Sequence, residues 1–238
     1  MILNTNPRSG AYTLRALARL LSYPDAQLRQ HLGVLRDALH EERALSARRL
    51  DELDALIDSL LLTNALESEA AYVELFDRGR RTALHLFEHV HGDSRDRGPA
   101  MVDLVCTYEA AGLLLAPGEL PDYLPVALEY ASTQPPRQAR EFLGEIAPIL
   151  QVIFSALLER RSHYASVLAA VLDLAGAQAQ AVTLPEEPEL DASWDEPAAF
   201  GGCSTQGQAR PLQPQPIRIL RQAAIATAPD QPPTGARS

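Results

Sequence analysis

Apolar residues recur over the first 176 positions at steps of three and four, the period of a helix surface, and never in the strict alternation of a half-buried strand. Leu14, Leu17, Ala18 and Leu21 mark one face of a first helix over Thr13 to Ser22, which Pro24 stops. Asp25 is placed to cap the second helix, where Leu28, Leu32, Leu35 and Leu39 keep the period. A third helix starts after Ser46 on Leu50, Leu53, Ile57, Leu60 and Leu61, with Arg48, Arg49, Asp51, Glu52 and Asp54 on its solvated side. Ser68 to Phe76 adds an amphipathic stretch, and Gly79 weakens the helix behind it. After Gly98 and Pro99, the pattern turns Met101, Val102, Leu104, Val105, Tyr108 and Ala111 inward on a helix ending near Gly112, with Cys106 as a small buried hydrophobe. Glu119 to Pro125 opens the next helix, backed by Leu124, Leu128 and Ala131. From Arg137 the spacing is helical again, with Pro148 opening one helix through Leu158 and Ser162 capping another through Leu174.

The pattern predicts an all-α fold: one globular, bundle-like helical domain of about eight to ten helices over residues 1–176. Beyond Gly176 the periodicity stops, and nine of the 18 prolines fall there among Gln, Ala and Thr, so residues 177–238 read as a largely disordered tail. Within it, Trp194 and Phe200 make residues 190–200 a candidate docking segment.

Composition narrows the function. The formal net charge of -10 repels phosphate backbones and argues against nucleic-acid binding. All 21 basic residues are Arg, and without Lys neither a Walker phosphate loop nor Schiff-base chemistry is available. The N-terminal residues lack a basic region leading into an apolar core, and every apolar run is broken by charge short of the roughly 20 residues a membrane span needs. The expectation is a cytoplasmic protein without direct membrane insertion. Cys106 and Cys203 stand far apart with no Cys-x-x-Cys spacing, so no structural disulfide is indicated.

Candidate chemistry concentrates in Leu84 to Gly98, which holds three of the six histidines. If this stretch is helical as far as Val90, His85, Glu88 and His89 share one face. His85-x-x-Glu88-His89 then matches the inverted zinc-peptidase pattern, in which two His bind the metal and Glu polarises water. A third ligand would have to come from elsewhere; Glu109, Glu119 and Asp122 are available by type. The competing reading is a helix end bordering a groove. Ser94 does not form a nucleophile elbow, since Asp96 stands where that motif needs Gly; Arg95 and Arg97 beside Asp93 and Asp96 read most simply as a solvated loop, and alternatively as two Arg forks able to hold a partner's carboxylate or phosphate.

Leu84 to Gly98, together with Met101-Val102-Asp103-Leu104 and Glu119-Leu120-Pro121-Asp122-Tyr123-Leu124-Pro125, closely resembles the NarJ family, the delta-subunit assembly chaperones of respiratory nitrate reductase. The similarity extends from about Thr13 to Ser132, more weakly through Gly176, and Ser193-Trp194-Asp195-Glu196-Pro197 with Phe200 looks like the family's C-terminal segment. The resemblance implies an all-helical chaperone of the wider TorD, DmsD and NarJ group, with no catalytic residues and no cofactor or metal of its own. Its client would be the apo catalytic α subunit of nitrate reductase, bound at an N-terminal leader and at a second site, and kept competent for molybdenum cofactor insertion before membrane assembly. Glu119-Leu120-Pro121-Asp122 resembles the group's acidic-Pro-x-Asp element with one residue inserted, and Tyr123 stands where relatives outside the nitrate reductase branch often have His. A leader helix would place apolar side chains against Phe87, Tyr123 and Leu124, with Glu88, Glu119 and Asp122 facing its basic residues. His89, His91, Arg95, Asp96, Arg97 and Pro121 complete the expected client-binding set. The alternative function is a zinc-dependent hydrolase built on His85, Glu88 and His89.

Overall fold

The computed structural model describes residues 10–90 and 95–184. His91, Asp93 and Ser94, and the tail with Trp194, Phe200 and Cys203, lie outside the described residues. The described chain forms eight α-helices: α1 (Ala11–Leu20), α2 (Ala26–Glu42), α3 (Ala47–Leu62), α4 (Ala65–Tyr72), α5 (Arg97–Ala110), α6 (Leu124–Thr133), α7 (Pro136–Glu159) and α8 (Ala165–Ala175). A π turn (Val73–Asp77) and two 3-10 turns (Arg80–Thr82 and Leu86–Glu88) link α4 to α5. The all-α class read from the helical period stands.

Short polar side chains set the helix starts. The Asp25 carboxylate accepts the Leu28 N–H at 2.7 Å, which forms the cap expected from the sequence, and the Ser46 hydroxyl accepts that of Arg49 at 3.3 Å where the third helix was expected to start. Asn64 does the same for α4, accepting from Leu66 at 2.9 Å. Each such cap contributes about 1 kcal/mol.

α1 sits at the centre, packing against α2, α6 and α8, and buries Leu14, Leu17 and Leu20 among its inward side chains. α7 and α8 pair along their lengths, and α3 closes the core against α2 and α8. The corner between α3 and α4 depends on Arg29 of α2. Its guanidinium donates to the Leu60 carbonyl at 2.5 Å, the Thr63 carbonyl at 2.8 Å and the Ser68 hydroxyl at 3.3 Å. Carbonyls at a helix C-terminus have no partner within the helix, and a half-buried cation is well suited to supply one.

Four sequence expectations change. Ser162 does not cap the last helix, since α8 starts at Ala165 after Tyr164 with no side-chain cap. Pro148 does not open a new helix; it lies inside α7, which runs unbroken for 24 residues. An internal proline costs about 3 kcal/mol by losing a backbone bond and crowding the preceding turn. Leu143 and Ala147 on one side of it, and Leu150, Ile153 and Phe154 on the other, are all buried, and that burial offsets the cost. An uninterrupted α7 is long and apolar enough, by length and composition alone, to cross a membrane, which corrects the expectation that no stretch reaches that length. Here it is a core helix packed on α6 and α8. Finally, α5 turns only part of the expected apolar face inward: Tyr108 is its only buried residue, Met101, Leu104 and Val105 are half-buried, and Val102, Cys106 and Ala111 are exposed.

Arg29→Ala is expected to destabilise the fold by about 1–3 kcal/mol, because two helix-end carbonyls lose their partner. Urea unfolding followed by circular dichroism checks this; an unchanged midpoint would contradict the role given to Arg29.

Candidate functional site

The two segments singled out in the sequence meet. Leu84 and His85 run extended against Tyr123 in an isolated antiparallel bridge, with the Leu86 N–H donating to the Asp122 carbonyl at 2.9 Å and the Leu124 N–H to the Leu84 carbonyl at 2.8 Å. The expected helix through Val90 is therefore absent. His85 is in β conformation and only Leu86–Glu88 make a single 3-10 turn. Likewise Glu119 to Tyr123 form turns, and α6 begins at Leu124 with Pro125 in its first turn.

Asp122 lies at the junction with 0% of its surface exposed. One carboxylate oxygen accepts the Phe87 N–H at 3.2 Å, and the other faces His85 Nδ1 at 3.3 Å. The Arg97 guanidinium, at the start of α5, lies 3.8 Å from Asp122 and 3.9 Å from Glu88. A buried carboxylate is tolerable only with such donors around it. The hydrogen bond to Asp122 raises the His85 imidazole above its ordinary value of 6.5, opposed by partial burial and by Arg97, and reinforced by the charges of Asp122 and Glu88.

Tyrosines brace the same junction. The buried Tyr108 hydroxyl donates to the Pro121 carbonyl at 2.9 Å, which ties the end of α5 to the turn before α6. The Tyr72 hydroxyl donates to the Leu21 carbonyl at 2.7 Å, leaving its oxygen to accept from Tyr123 at 3.2 Å. The Tyr123 ring lies 5.2 Å from the His85 imidazole. Burial pushes the Tyr72, Tyr108 and Tyr123 phenols up, so all three stay protonated hydrogen-bonding groups.

This geometry does not build the metal site that His85-x-x-Glu88-His89 suggests. His85 turns to Asp122, whereas His89 Nε2 donates to the Ala83 carbonyl at 2.9 Å. Glu88 is exposed, and no cluster of three metal-ligating side chains occurs among the described residues.

Beside the junction lies a groove of about 480 Å³ between α1, α6 and the α5–α6 connection. Tyr108, Val126 and Tyr130 line it, with Leu113, Leu114 and Leu115 along the connection. Arg15 and Arg19 of α1 border it, as do Glu119 and Glu129. Of these, only Glu119 belonged to the expected client-binding set, and Tyr108 was read as core. The remaining residues are scattered over α1, the connection and α6, which no local periodicity links.

A family model described as nitrate reductase delta subunit matches residues 24–170. The chain belongs to the nitrate reductase delta subunit family. Within this family it is 43% identical over 184 residues to the protein named "Nitrate reductase molybdenum cofactor assembly chaperone NarJ" of Escherichia coli K12, covering 77% of this chain and 78% of that one. It is 42% identical over 193 residues to the "Probable nitrate reductase molybdenum cofactor assembly chaperone NarW" of the same strain, covering 77% and 80%. It is 32% identical over 173 residues to the "Probable nitrate reductase molybdenum cofactor assembly chaperone NarJ" of Bacillus subtilis 168, covering 71% and 90%.

The expected site residues of this delta-subunit chain divide by exposure. Pro121, Asp122 and Leu124 are buried, Leu124 completely, so they hold the site's shape and offer a partner no surface in this conformation. Glu88, Arg95, Asp96 and Glu119 are exposed, whereas Phe87, His89, Arg97 and Tyr123 are half-buried around the Asp122 junction. Glu119 accepts the Ala116 N–H at 3.1 Å, closing the turn at Pro117 and Gly118.

The raised His85 value fixes the sign of a pH effect. A group whose folded-state value exceeds its unfolded one adds stability that is complete below about 6.5 and is lost as pH rises through the folded-state value. The stability difference between wild type and His85→Gln is thus expected to shrink as pH climbs past 6.5, measured by urea unfolding across a pH series. A difference that stays flat or grows would contradict the His85–Asp122 pairing.

Proposed function

We propose that this chain is a cytoplasmic assembly chaperone that binds the apo catalytic α subunit of a nitrate reductase and keeps it open to molybdenum cofactor insertion before membrane assembly. The observation that carries the reading is 43% identity over 77% of the chain to a protein named as a nitrate reductase molybdenum cofactor assembly chaperone. Several physical features support it. The described surface carries exposed apolar side chains, among them Leu114 and Leu120, and the full chain has a net charge of -10, a combination suited to a partially apolar, basic polypeptide. The expected client contacts are the N-terminal leader and a second site, approached from the face carrying Phe87, Glu88, Arg95 and Arg97.

Holding a client open requires no chemistry of the chaperone's own. It needs only tighter binding to the apo conformation than to the cofactor-loaded one, so that loading the cofactor shifts the population and releases the chaperone. A non-catalytic role accords with His85 and His89 being committed to Asp122 and to a backbone carbonyl.

The test is affinity capture from cells blocked in molybdenum cofactor synthesis. The apo α subunit is expected to co-purify with this chain, and to fall away when cofactor synthesis is restored. Charge reversal at Glu88 or Glu119 is expected to lower the captured amount severalfold. Failure to recover the α subunit in cells that produce it would refute the proposal.

A further inference from the structure

We propose that the pocket between α3, the end of α7 and the start of α8 receives Trp194 of this chain's own C-terminal stretch, with Asp195 and Glu196 set against the basic rim of that pocket. This contact is internal to the chain and independent of which client it serves.

The path of the chain after α8 sets the first constraint. Gly176, in the left-handed conformation at φ +79°, ends α8, and the chain turns back along α7. Residues 178–182 are seated there by α7 side chains. Gln151 Nε2 donates to the Gln178 carbonyl at 2.5 Å, its Oε1 accepts the Gln180 N–H at 3.1 Å, and the Ser155 hydroxyl accepts the Val182 N–H at 2.9 Å. From Gln180 to Val182 this strap advances about 6.6 Å, and from Gln151 to Ser155 the helix advances about 6 Å. The strap therefore runs parallel to α7 and delivers the residues after it to the C-terminal end of that helix.

The pocket lies on that path. It measures about 290 Å³, and Phe154 and Leu158 of α7, Ala179 of the strap, Ala55 of α3 and Ala165 of α8 give it an apolar lining. Leu158 is 44% exposed, whereas Phe154 and Leu157 beside it are buried, so apolar surface is left uncovered at this end of α7. Sites for drug-sized ligands occupy about 300–1,000 Å³. A space at the foot of that range suits one large side chain, held by the rest of its own chain, better than a free small molecule.

The rim is basic, in a chain whose net charge is -10. Arg48 of α3 and His163 of the α7–α8 turn border the pocket and are exposed, and the exposed Arg160 and Arg161 immediately precede Ser162 at its edge. Glu52, the acid on the same rim, is shared between Arg48 and Arg49 and so neutralises neither fully. An ion pair as exposed as that of Arg48 with Glu52 is weak and readily exchanged.

The sequence beyond Leu184 supplies the complementary chemistry. Glu186, Glu187, Glu189, Asp191, Asp195 and Glu196 follow in a stretch with no Arg before Arg210, and among them stands Trp194, the chain's single tryptophan. The ten residues from Leu184 to Trp194 span up to about 33 Å. That exceeds the distance needed, because Val182 already lies one helical turn from Leu158. Pro185 and Pro188 disfavour a helix in the spacer and so preserve its reach. A short tether sets an effective concentration of about millimolar, so one aromatic anchor with a few exposed ion pairs is enough to seat the segment.

Trp194 carries its own readout in the full chain. Its selectively excited fluorescence is expected at short wavelength, with acrylamide quenching severalfold weaker than in the urea-unfolded chain. Ala55→Tyr, at an exposed position of α3 that borders the pocket, fills it. This variant is expected to move the emission to that of a water-exposed indole while leaving the far-ultraviolet circular dichroism unchanged. Arg48→Glu is expected to raise the quenching severalfold, and adding Glu196→Arg to restore protection. That rescue separates a lost ion pair from an altered fold. Water-exposed emission in the wild-type chain would overturn the inference, and so would protected emission that neither Ala55→Tyr nor Arg48→Glu disturbs. Protection that disappears on dilution would place Trp194 against a second copy of the chain, and would equally overturn it.

Discussion

The buried carboxylate of Asp122 is the constraint around which the outer part of this fold is arranged. A charged group with no exposed surface is costly unless donors surround it, and here the donors come from three places: the Phe87 backbone, the His85 ring and the Arg97 guanidinium at the start of α5. His85 and Phe87 belong to a stretch outside the α-helices, and Arg97 opens α5. The short bridge from Leu84 to Leu124 supplies two backbone bonds, and the Tyr108 hydroxyl adds a third at Pro121. Without these ties α5 would have little to hold it, since it buries a single side chain.

That arrangement separates scaffold from surface. Residues 84–88 and 121–124 form the scaffold, and what it presents is the apolar connection after α5, set against α1 and α6 with charge of both signs around it. The delta subunit family is thus represented here by a helical core whose α1, α2, α3, α7 and α8 are closely packed, and by a lightly packed outer layer hung on one ionic junction. Such a division suits a protein that must hold another chain without being remodelled by it.

How much of this could be read from the sequence follows from which forces are local. Helix spacing and short polar caps act within a few residues, so α1, α2 and α3, with Asp25 and Ser46 at their starts, were legible. Pro148 misled because its local preference is to break a helix, and the burial that overrides it comes from α6 and α8. The stretch after Leu84 misled in the opposite sense. His85, Glu88 and His89 have helical spacing, yet pairing with Tyr123 draws His85 into an extended conformation, a contact between positions 38 apart that no periodicity reports. The resemblance had marked Leu84 to Gly98 and Glu119 to Pro125 together, and they do meet. What it did not convey was that Asp122 and Leu124 face inward and that the open groove is bordered by Arg15 and Arg19. Those arginines lie on a helix whose pattern reads as core, and nothing nearby in sequence signals the Leu113 to Leu115 wall opposite.

The most direct measurement of the central claim is hydrogen exchange by mass spectrometry on Asp122→Asn beside the wild type. Removing the charge while keeping the shape should release His85 and Arg97 together. The expected result is a loss of protection confined to residues 84–88 and 97–124, with residues 11–20 and 136–175 unchanged. Loss of protection spread evenly over all helices, or none at residues 97–124, would contradict the view that one buried carboxylate holds the outer layer in place.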